Sequence, residues 1–501
     1  MDQSTNQKQE VDGLSVKKTV SASRKLIRLP PTEPPLFQQK QYEMIANGIP
    51  IISATSAYLQ HPDWNEYGNG RLYFQKIFGK SRYIKFSILN RESHNPEYIL
   101  HKAEHEIIDR YGVMAARLHA VFATYATHSS EPWREPFFLK GSELIKTLKV
   151  YRTKKLTVGQ KLKAIADLAW IVGTLGVVIY WYEQGIDLCV KERSLLWFVS
   201  VQEYGQLNLQ GEVEALQEVV IRVQPGIWTY NFLNCGGQKQ KKALHQCGLI
   251  PKKIFEIDPH RQKLTTSIAL YVTQNNFAYK REVCTIENLL KQILPLEYIE
   301  QAITDRRYGH KLKESFDNAL LTLKNILGLE IEFDDKTYYQ WLRPVWSLPE
   351  NLTDISTKER NQQLLGSKKL PNHYIINHWF PAFISFIPPE NVQEKLQELK
   401  NFEVNKDKNT TKSDSRTFSE SIKSNKNDPK IEFSYNKTSQ STTLTGILIK
   451  QRRKAIGMSQ AELAQAMGKS QSWVRDLENK LKERTIKSKY VLKLKSILKI
   501  A

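Results

Sequence analysis

The stretch SQAELAQAMGKSQSWVRDLEN, residues 459–479, decides the fold of the C-terminal part of this 501-residue chain. It opens on Ser459 with Glu462 three residues later, the pattern of a capping box, in which each side chain accepts a hydrogen bond from the other residue's backbone N–H. Gly468 permits a tight reversal, and Ser470 can cap a second helix. The stretch therefore predicts two short helices joined by a tight turn.

The apolar residues of this stretch have helical spacing. Leu463 and Met467 form one face of the first helix, and Val474 and Leu477 form the inner side of the second. Small alanines at the predicted crossing allow the two helices to approach closely. The pair is therefore predicted to be a helix-turn-helix from Gln460 to Asn479, a motif that places its second helix in the major groove of DNA.

Further helices are predicted on both sides of the motif. Leu444–Ile456 combines an apolar stripe with a cationic face and ends at Gly457, and the chain closes with the apolar stripe of YVLKLKSILKI. The cationic face is predicted to consist of Lys450, Arg452, Arg453 and Lys454. Residues 444–501 hold 14 Lys and Arg against 4 Asp and Glu, a net charge of +10.

The sequence of residues 459–479 resembles the Cro/cI-type (XRE) helix-turn-helix family of bacterial and phage repressors. The resemblance extends over about residues 444–501 and includes the capping box, the Ala-Gly turn pattern and the V-x-x-L-E ending. It implies an all-α bundle of five helices that binds double-stranded DNA through its third helix. It also implies that Gln460 contacts backbone phosphate and that the base-facing positions are Ser470, Gln471, Ser472 and Asp476.

The chemistry of these side chains agrees with base reading. Gln471 can bond adenine bidentately at N6 and N7, and the serines can donate to or accept from any base. Asp476 has two readings, since its carboxylate either accepts from a cytosine amine or pairs with Lys480 in its own helix. Arg475 can reach phosphate or a guanine edge, and Trp473 is expected in the partial core rather than on a base.

A group of basic residues follows the second motif helix, where a loop of this family usually contacts the phosphate chain. Such contacts set affinity and salt dependence but carry no sequence information. The group consists of Lys480, Lys482, Arg484 and Lys487.

The composition of the whole chain also favours an anionic partner. Lys and Arg number 73 against 52 Asp and Glu, so the net charge is +21 and the pI about 9.5. Nucleic acid is the first candidate for such a partner and an acidic membrane surface the second. Hydrophobic residues make up 41% of the chain, which excludes global disorder.

The cysteines exclude a disulfide-stapled secreted fold. Cys189, Cys235, Cys247 and Cys284 form no C-x-x-C pair, so a zinc ribbon is also excluded. We expect four buried thiols in a reduced cytosol, and a cytoplasmic protein associated with the nucleoid or a plasmid.

The sequence gives no sign of membrane insertion. The N-terminus carries acidic residues early and has no apolar signal-peptide region. Leu168–Tyr182 is apolar but shorter than the about 20 residues that a spanning helix needs. It is predicted to be a buried helix that runs into a buried strand.

The chain is predicted to be α+β and mostly helical. Residues 1–33 are expected to be a flexible basic arm, and residues 401–443, rich in Lys, Asn, Ser and Thr, a disordered linker. Between them, residues 34–205 and 206–400 are each predicted to be an α+β, winged-helix-like unit. Residues 444–501 complete the chain as the all-α helix-turn-helix domain.

Two stretches of the central region look like a degenerate repeat. Residues 161–182 and 311–333 both begin Lys-Leu-Lys, continue at helical spacing, and meet Gly176 or Gly328 before a β-rich run. Helical patterns lie upstream of each, with Ser142 and Thr285 as predicted caps. Each unit reads as three helices followed by a strand pair, the order of a winged helix; a generic α+β domain is the alternative.

The strand pair of the first unit is predicted to be VVIYWYEQ, a turn at residues 185–187, and SLLWFVSVQ. With two winged helices, residues 100–345 are vaguely similar to tandem winged-helix plasmid replication initiators, which bind origin repeats.

A sequence-specific DNA-binding transcriptional regulator is the leading function, with such an initiator as the alternative. A regulator with a sensing N-terminal domain and a binder of acidic membranes are further alternatives, and a homodimer is compatible with the sequence.

Motifs for catalysis and metal binding are absent from the sequence. It has no G-x-x-x-x-G-K-[ST] phosphate loop, no H-E-x-x-H zinc pattern and no G-x-S-x-G nucleophile elbow. We therefore predict no enzymatic activity, no catalytic residue, no metal and no cofactor.

Overall fold

The structure is a computed structural model, and the chain divides into two compact units, residues 1–414 and 415–501. The predicted linker at 401–443 and most of the predicted arm lie outside the described residues. The structure describes residues 29–67, 71–79, 82–89, 101–149, 156–183, 188–207, 213–276, 283–398, 449, 453 and 458–479.

The first unit is α+β, as predicted from the sequence. Its strands are β1 Tyr42–Ala46, β2 Asn65–Glu66, β3 Leu72–Phe78, β4 Arg82–Ile88, β5 Phe137–Lys140, β6 Leu175–Glu183, β7 Leu188–Leu195, β8 Trp197–Leu207, β9 Val213–Pro225, β10 Cys247–Pro251, β11 Val283–Thr285, β12 Glu330–Phe333 and β13 Phe383–Ile387. Its α-helices are α1 Ile49–Leu59, α2 His101–Ile108, α3 Val113–Ala126, α4 Gly141–Leu148, α5 Val158–Val172, α6 Trp228–Phe232, α7 Cys235–Lys239, α8 Lys263–Asn276, α9 Ile286–Ile293, α10 Leu296–Thr304, α11 Arg306–Leu327, α12 Glu350–Thr353 and α13 Thr357–Leu365. Residues 390–398 are also helical.

The strands form four antiparallel sheets. Their orders are β1-β10, β2-β3-β4-β6-β7, β5-β9-β8 and β11-β13-β12. Short 3-10 turns connect several elements, and residues Ile375–Trp379 form a π-helical turn before β13.

The two three-stranded sheets belong to segments with a similar order of elements, although β6 and β7 are inserted in the first and α10, α12 and α13 in the second. The first segment runs α3, β5, α4, α5, β8 and β9, and β5 pairs with β9 from Phe137↔Val223 to Lys140↔Val220. The second runs α8, β11, α9, α10, α11, β12 and β13, and β11 pairs with β13 at Val283↔Ser385. In both sheets the first strand lies beside the third, so both segments are winged-helix-like.

The predicted pairing of the run VVIYWYEQ with the run SLLWFVSVQ as the strand pair of the first segment is wrong. β6 pairs with β7, but β6 also pairs with β4 and belongs to the five-stranded sheet. The sheet of the first segment is completed by β8 and β9 instead. The run SLLWFVSVQ therefore holds the end of one strand and the start of another, and the local pattern does not reveal that the chain changes sheets at Leu196. The predicted turn at 185–187 lies outside the described residues.

The predicted caps have different outcomes. Thr285 caps α9, since its side chain accepts from Asn288 N at 3.2 Å. Ser142 does not cap α4, because Lys140 is the N-cap and Ser142 Oγ donates to Glu218 Oε2 at 2.5 Å. The sequence pattern cannot show that a glutamate 76 residues away provides this acceptor.

The cysteine prediction is wrong for Cys235, which is exposed at the start of the short helix α7. Cys247 is buried and Cys284 half-buried, and neither forms a disulfide within the described part of the chain. The side chain of Cys189 lies outside the described residues.

The apolar run Leu168–Tyr182 has the predicted structure. α5 ends at Val172 and β6 begins at Leu175, with Leu175 and Ile179 fully buried. In the described part of the chain, no helix has both the length and the apolar character needed to cross a membrane.

One contiguous apolar core joins both winged-helix-like segments. The proposed boundary between residues 205 and 206 falls within β8, which pairs with β9 on both sides of it. The division into units 34–205 and 206–400 therefore stays a prediction.

A buried arginine ties α3 to distant backbone. The guanidinium of Arg117, 1% exposed, donates to Leu148 O at 3.1 Å, Phe255 O at 2.8 Å and Ile257 O at 2.7 Å. Burial lowers the pKa of Arg117 to about 10, so the group remains charged at neutral pH. Its charge-assisted bonds hold the end of α4 and the segment before α8 against α3.

A buried histidine joins three elements of the same core. The indole of Trp197 donates to His119 Nδ1 at 2.9 Å, and His119 Nε2 lies 3.1 Å from Ile51 O. Since the indole is only a donor, Nδ1 is the acceptor and Nε2 carries the proton. Burial lowers the pKa of His119 to about 4, and the imidazole is neutral in the fold.

We expect the substitution His119→Gln to reduce the loss of stability at acidic pH. The unfolded state protonates this imidazole near pH 6.5 and the folded state only near pH 4, so stability falls as the pH drops between these values, by about 3 kcal/mol in total. Glutamine retains one donor and one acceptor without titrating. Denaturant unfolding followed by tryptophan fluorescence at pH 4.5 and 7 should show a smaller difference for the variant than for the parent chain. Equal differences would contradict this assignment.

Candidate nucleic-acid interface

The described part of the second unit contains the two predicted short helices. Motif helix 1 is Gln460–Met467 and motif helix 2 is Gln471–Asn479. Ser459 and Glu462 form the predicted capping box, with Glu462 N donating to Ser459 Oγ at 3.2 Å and Ser459 N donating to Glu462 Oε2 at 2.6 Å.

The turn between the helices depends on Gly468. Its φ of +66° lies in the left-handed region, where residues with a Cβ are strained. A Cβ at this position would meet no atom within 4 Å, so the backbone angle alone favours glycine. Lys469 N then donates to Ala464 O at 2.8 Å, which ends motif helix 1.

Motif helix 2 begins with the serine predicted to cap it. Trp473 N donates to Ser470 Oγ at 3.3 Å, and the hydroxyl of Ser472 lies 2.9 Å from that of Ser470. The helix buries Val474 completely and exposes Gln471, Ser472 and Arg475. These polar side chains are therefore available to a partner.

A buried ion pair anchors motif helix 2 near its end. Arg453 Nε donates to Glu478 Oε1 at 2.5 Å and Arg453 Nη2 donates to Glu478 Oε2 at 2.9 Å, with the two side chains 8% and 0% exposed. Arg453 Nη1 also donates to Met458 O at 2.7 Å. The hydrogen bonds that Arg453 donates to Glu478 raise the pKa of Arg453, so the guanidinium stays charged.

Arg453 was predicted on the cationic outer face of the preceding helix, and that prediction is wrong. The residue lies four positions after Ile449, which is fully buried, and three before Ile456. This spacing places Arg453 on the apolar stripe of the helix. An arginine at such a position indicates a buried ion pair, and the sequence pattern could have revealed it. The other members of the predicted cationic face lie outside the described residues.

The amide of Gln460 belongs to the same network. Its Nε2 donates to Glu478 Oε2 at 2.7 Å, and the residue is half-buried. A contact of Gln460 with phosphate stays a prediction, and an approaching phosphate would share this amide with Glu478.

Other predicted site residues fall outside the described part of the chain. They are the side chain of Asp476 and the basic residues Lys480, Lys482, Arg484 and Lys487. Trp473 is half-buried, at the position expected for a residue in the partial core.

A second cationic surface lies at the start of α11 in the first unit. Arg306, Arg307, His310 and Lys311 are exposed there, and Arg306, Arg307 and Lys311 make no ion pair within 4 Å with the described residues. The equivalent helix α5 differs, because its exposed Lys163 pairs with Glu203 at 3.0 Å. Of these two helices, α11 therefore offers the more concentrated positive charge at its start.

Residues 449–500 match the family described as Helix-turn-helix. This segment of the chain is a helix-turn-helix, similar to the Cro/cI type. No curated protein matches the sequence. A crystal structure of domains 2 and 3 of RctB is similar at 12% identity over 52% of this chain and 84% of that chain, with a TM-score of 0.28.

We expect Arg453→Met to unfold the helix-turn-helix locally. The substitution leaves the Glu478 carboxylate buried without its counterion, a change that typically costs about 3–5 kcal/mol. Hydrogen exchange of backbone amides 459–478 in the full chain should accelerate. The double variant Arg453→Met/Glu478→Leu removes both charges and should restore protection, and equally fast exchange in the double variant would contradict the explanation.

Proposed function

We propose that the chain is a sequence-specific double-stranded DNA-binding protein that acts as a transcriptional regulator. The observation that carries this proposal is the orientation of motif helix 2, which buries Val474 and exposes Gln471, Ser472 and Arg475. A helix with this distribution can enter the major groove with its polar side chains against base edges.

Each exposed side chain has a distinct task in this proposal. Gln471 reads adenine through its N6 and N7 atoms, and Ser472 bonds a neighbouring base edge. Arg475 neutralises a phosphate or bonds guanine. Regulation follows from occupancy of the DNA site, since a protein bound there blocks or recruits other DNA-binding proteins.

The charge of the chain supports the same partner. The net charge of +21 favours association with a polyanion and makes binding steeply dependent on salt. The basic residues after motif helix 2 are proposed to contact phosphate, and Asp476 is proposed to meet a cytosine amine or Lys480.

We expect Gln471→Ala to weaken binding to the cognate site by about 1–3 kcal/mol and to leave random duplex unaffected, since adenine reading carries sequence information. Gln465→Ala is the matched control, because Gln465 is exposed on motif helix 1. Genome-wide footprinting identifies the site, and titration of cognate and random duplexes with each variant measures the effect. Equal losses on both duplexes would show that Gln471 does not read a base.

A second candidate function is a replication initiator of plasmid type that binds origin repeats. The repeated winged-helix-like order and the cationic start of α11 favour it, because they supply a second surface for DNA. Footprints distinguish the two functions, since an initiator protects clustered direct repeats and a regulator one or two palindromes.

If the second candidate is correct, Arg307→Ala should weaken binding to clustered repeats and reduce the salt dependence by about one phosphate contact. Arg134→Ala is the control, because Arg134 is exposed in the same unit but pairs with Glu131 at 3.1 Å. Measurement of DNA affinity as a function of salt concentration for both variants tests whether Arg307 contacts phosphate. An Arg307 variant with unchanged affinity and slope would exclude α11 from the interface.

A further inference from the structure

A large cavity lies inside the first unit, where the two winged-helix-like segments meet. Its volume is about 840 Å³, within the range of small-molecule sites in proteins. α3 and α5 line one side, and α8 and α11 line the other.

The interior of the cavity is apolar. Leu168 and Ile171 of α5 face it from one segment, and Leu264 and Leu312 face it from the other. Val113 and Met114 extend this surface at the start of α3. A ligand that fills the space would therefore gain by removing apolar surface from water.

The charges around the cavity have one sign. Five basic residues line it, and no Asp or Glu is among its described lining residues. The basic residues are His61, Arg110, His260, Lys263 and Lys311. Lys263 at the start of α8 and Lys311 near the start of α11 are both exposed.

Carboxylates outside the lining offset part of this charge, since Asp167 forms an ion pair with Arg110. Asp167 lies 3.7 Å from the Arg110 guanidinium, and Asp109 acts electrostatically on His61, but neither carboxylate lines the cavity. Burial lowers the pKa of the His61 imidazole, which lines the cavity.

We propose that this cavity binds an amphipathic small molecule with an apolar body and one anionic group, a carboxylate, sulfonate or phosphate. The body packs against the leucine and isoleucine side chains, and the anion lies between Lys263 and Lys311. A polyanion such as DNA fits the basic rim but not the apolar interior. The ligand contacts both winged-helix-like segments at once and stabilises their arrangement.

The test uses the anionic probe 8-anilino-1-naphthalenesulfonate and its uncharged relative N-phenyl-1-naphthylamine with the full-length chain at pH 7. We expect one saturable site for each probe, seen as increased fluorescence. The variant Lys263→Gln/Lys311→Gln should weaken binding of the sulfonate about tenfold, because both cations near the sulfonate are lost, and should leave binding of the neutral probe unaffected. Lys336→Gln/Lys358→Gln is the control, with two exposed lysines outside the cavity.

The location of the site is tested by filling it. Ala164→Trp places a large side chain in the cavity from α5, and Ser315→Trp does so from the exposed surface of α11. Both variants should lose both probes while retaining the circular dichroism of the parent chain. Since Ser315 is exposed, this variant keeps the test valid if Ala164→Trp does not fold.

Three results would overturn the proposal. Retention of both probes by a folded Trp variant would place the site elsewhere. Equal affinity of the sulfonate for the parent chain and the Lys263→Gln/Lys311→Gln variant would remove the anionic preference. Displacement of the sulfonate by random duplex DNA would assign the basic rim to a nucleic-acid surface, whereas failure of DNA to displace it supports the ligand site.

Discussion

The buried ion pair between Arg453 and Glu478 is the interaction on which the proposed DNA-reading surface depends. It connects the helix before the motif to motif helix 2, and Gln460 adds a third partner to the same carboxylate. Burial of a carboxylate without a counterion costs free energy. The ion pair therefore favours the orientation of motif helix 2 in which Val474 is buried and Gln471 is exposed. Recognition of bases needs such fixed placement, because a hydrogen bond to a base edge tolerates little displacement.

The first unit relies on the same principle in a different form. Arg117 has no carboxylate at bonding distance and instead donates to three backbone carbonyls from two distant segments. His119 joins α1, α3 and β8 as a neutral ring. These polar groups lie inside one apolar core that includes both winged-helix-like segments. Their directional bonds specify how helices pack, which apolar contacts alone specify poorly.

The described surfaces of the protein differ in the chemistry of the partner that each would bind. The exposed side of motif helix 2 offers Gln471, Ser472 and Arg475, which suit base edges and phosphate, whereas the start of α11 offers Arg306 and Arg307, which suit phosphate. The cavity joins Lys263 and Lys311 to an apolar interior, a combination suited to a small amphipathic anion. Lys311 belongs both to the start of α11 and to the cavity lining, so a change at Lys311 affects both surfaces.

The sequence alone determined the local elements of this protein. The capping box at Ser459, the positive φ at Gly468 and the helix cap at Thr285 are short-range devices, and each is present as predicted, because the interacting groups lie within a few residues. Tertiary structure decided the rest. The pairing of β5 with β9, the bond from Ser142 to Glu218 and the burial of Arg453 all join residues that are distant in sequence or depend on a face that local pattern does not fix. The cavity is the extreme case, since helices separated by more than a hundred residues enclose it, and only packing brings their side chains together.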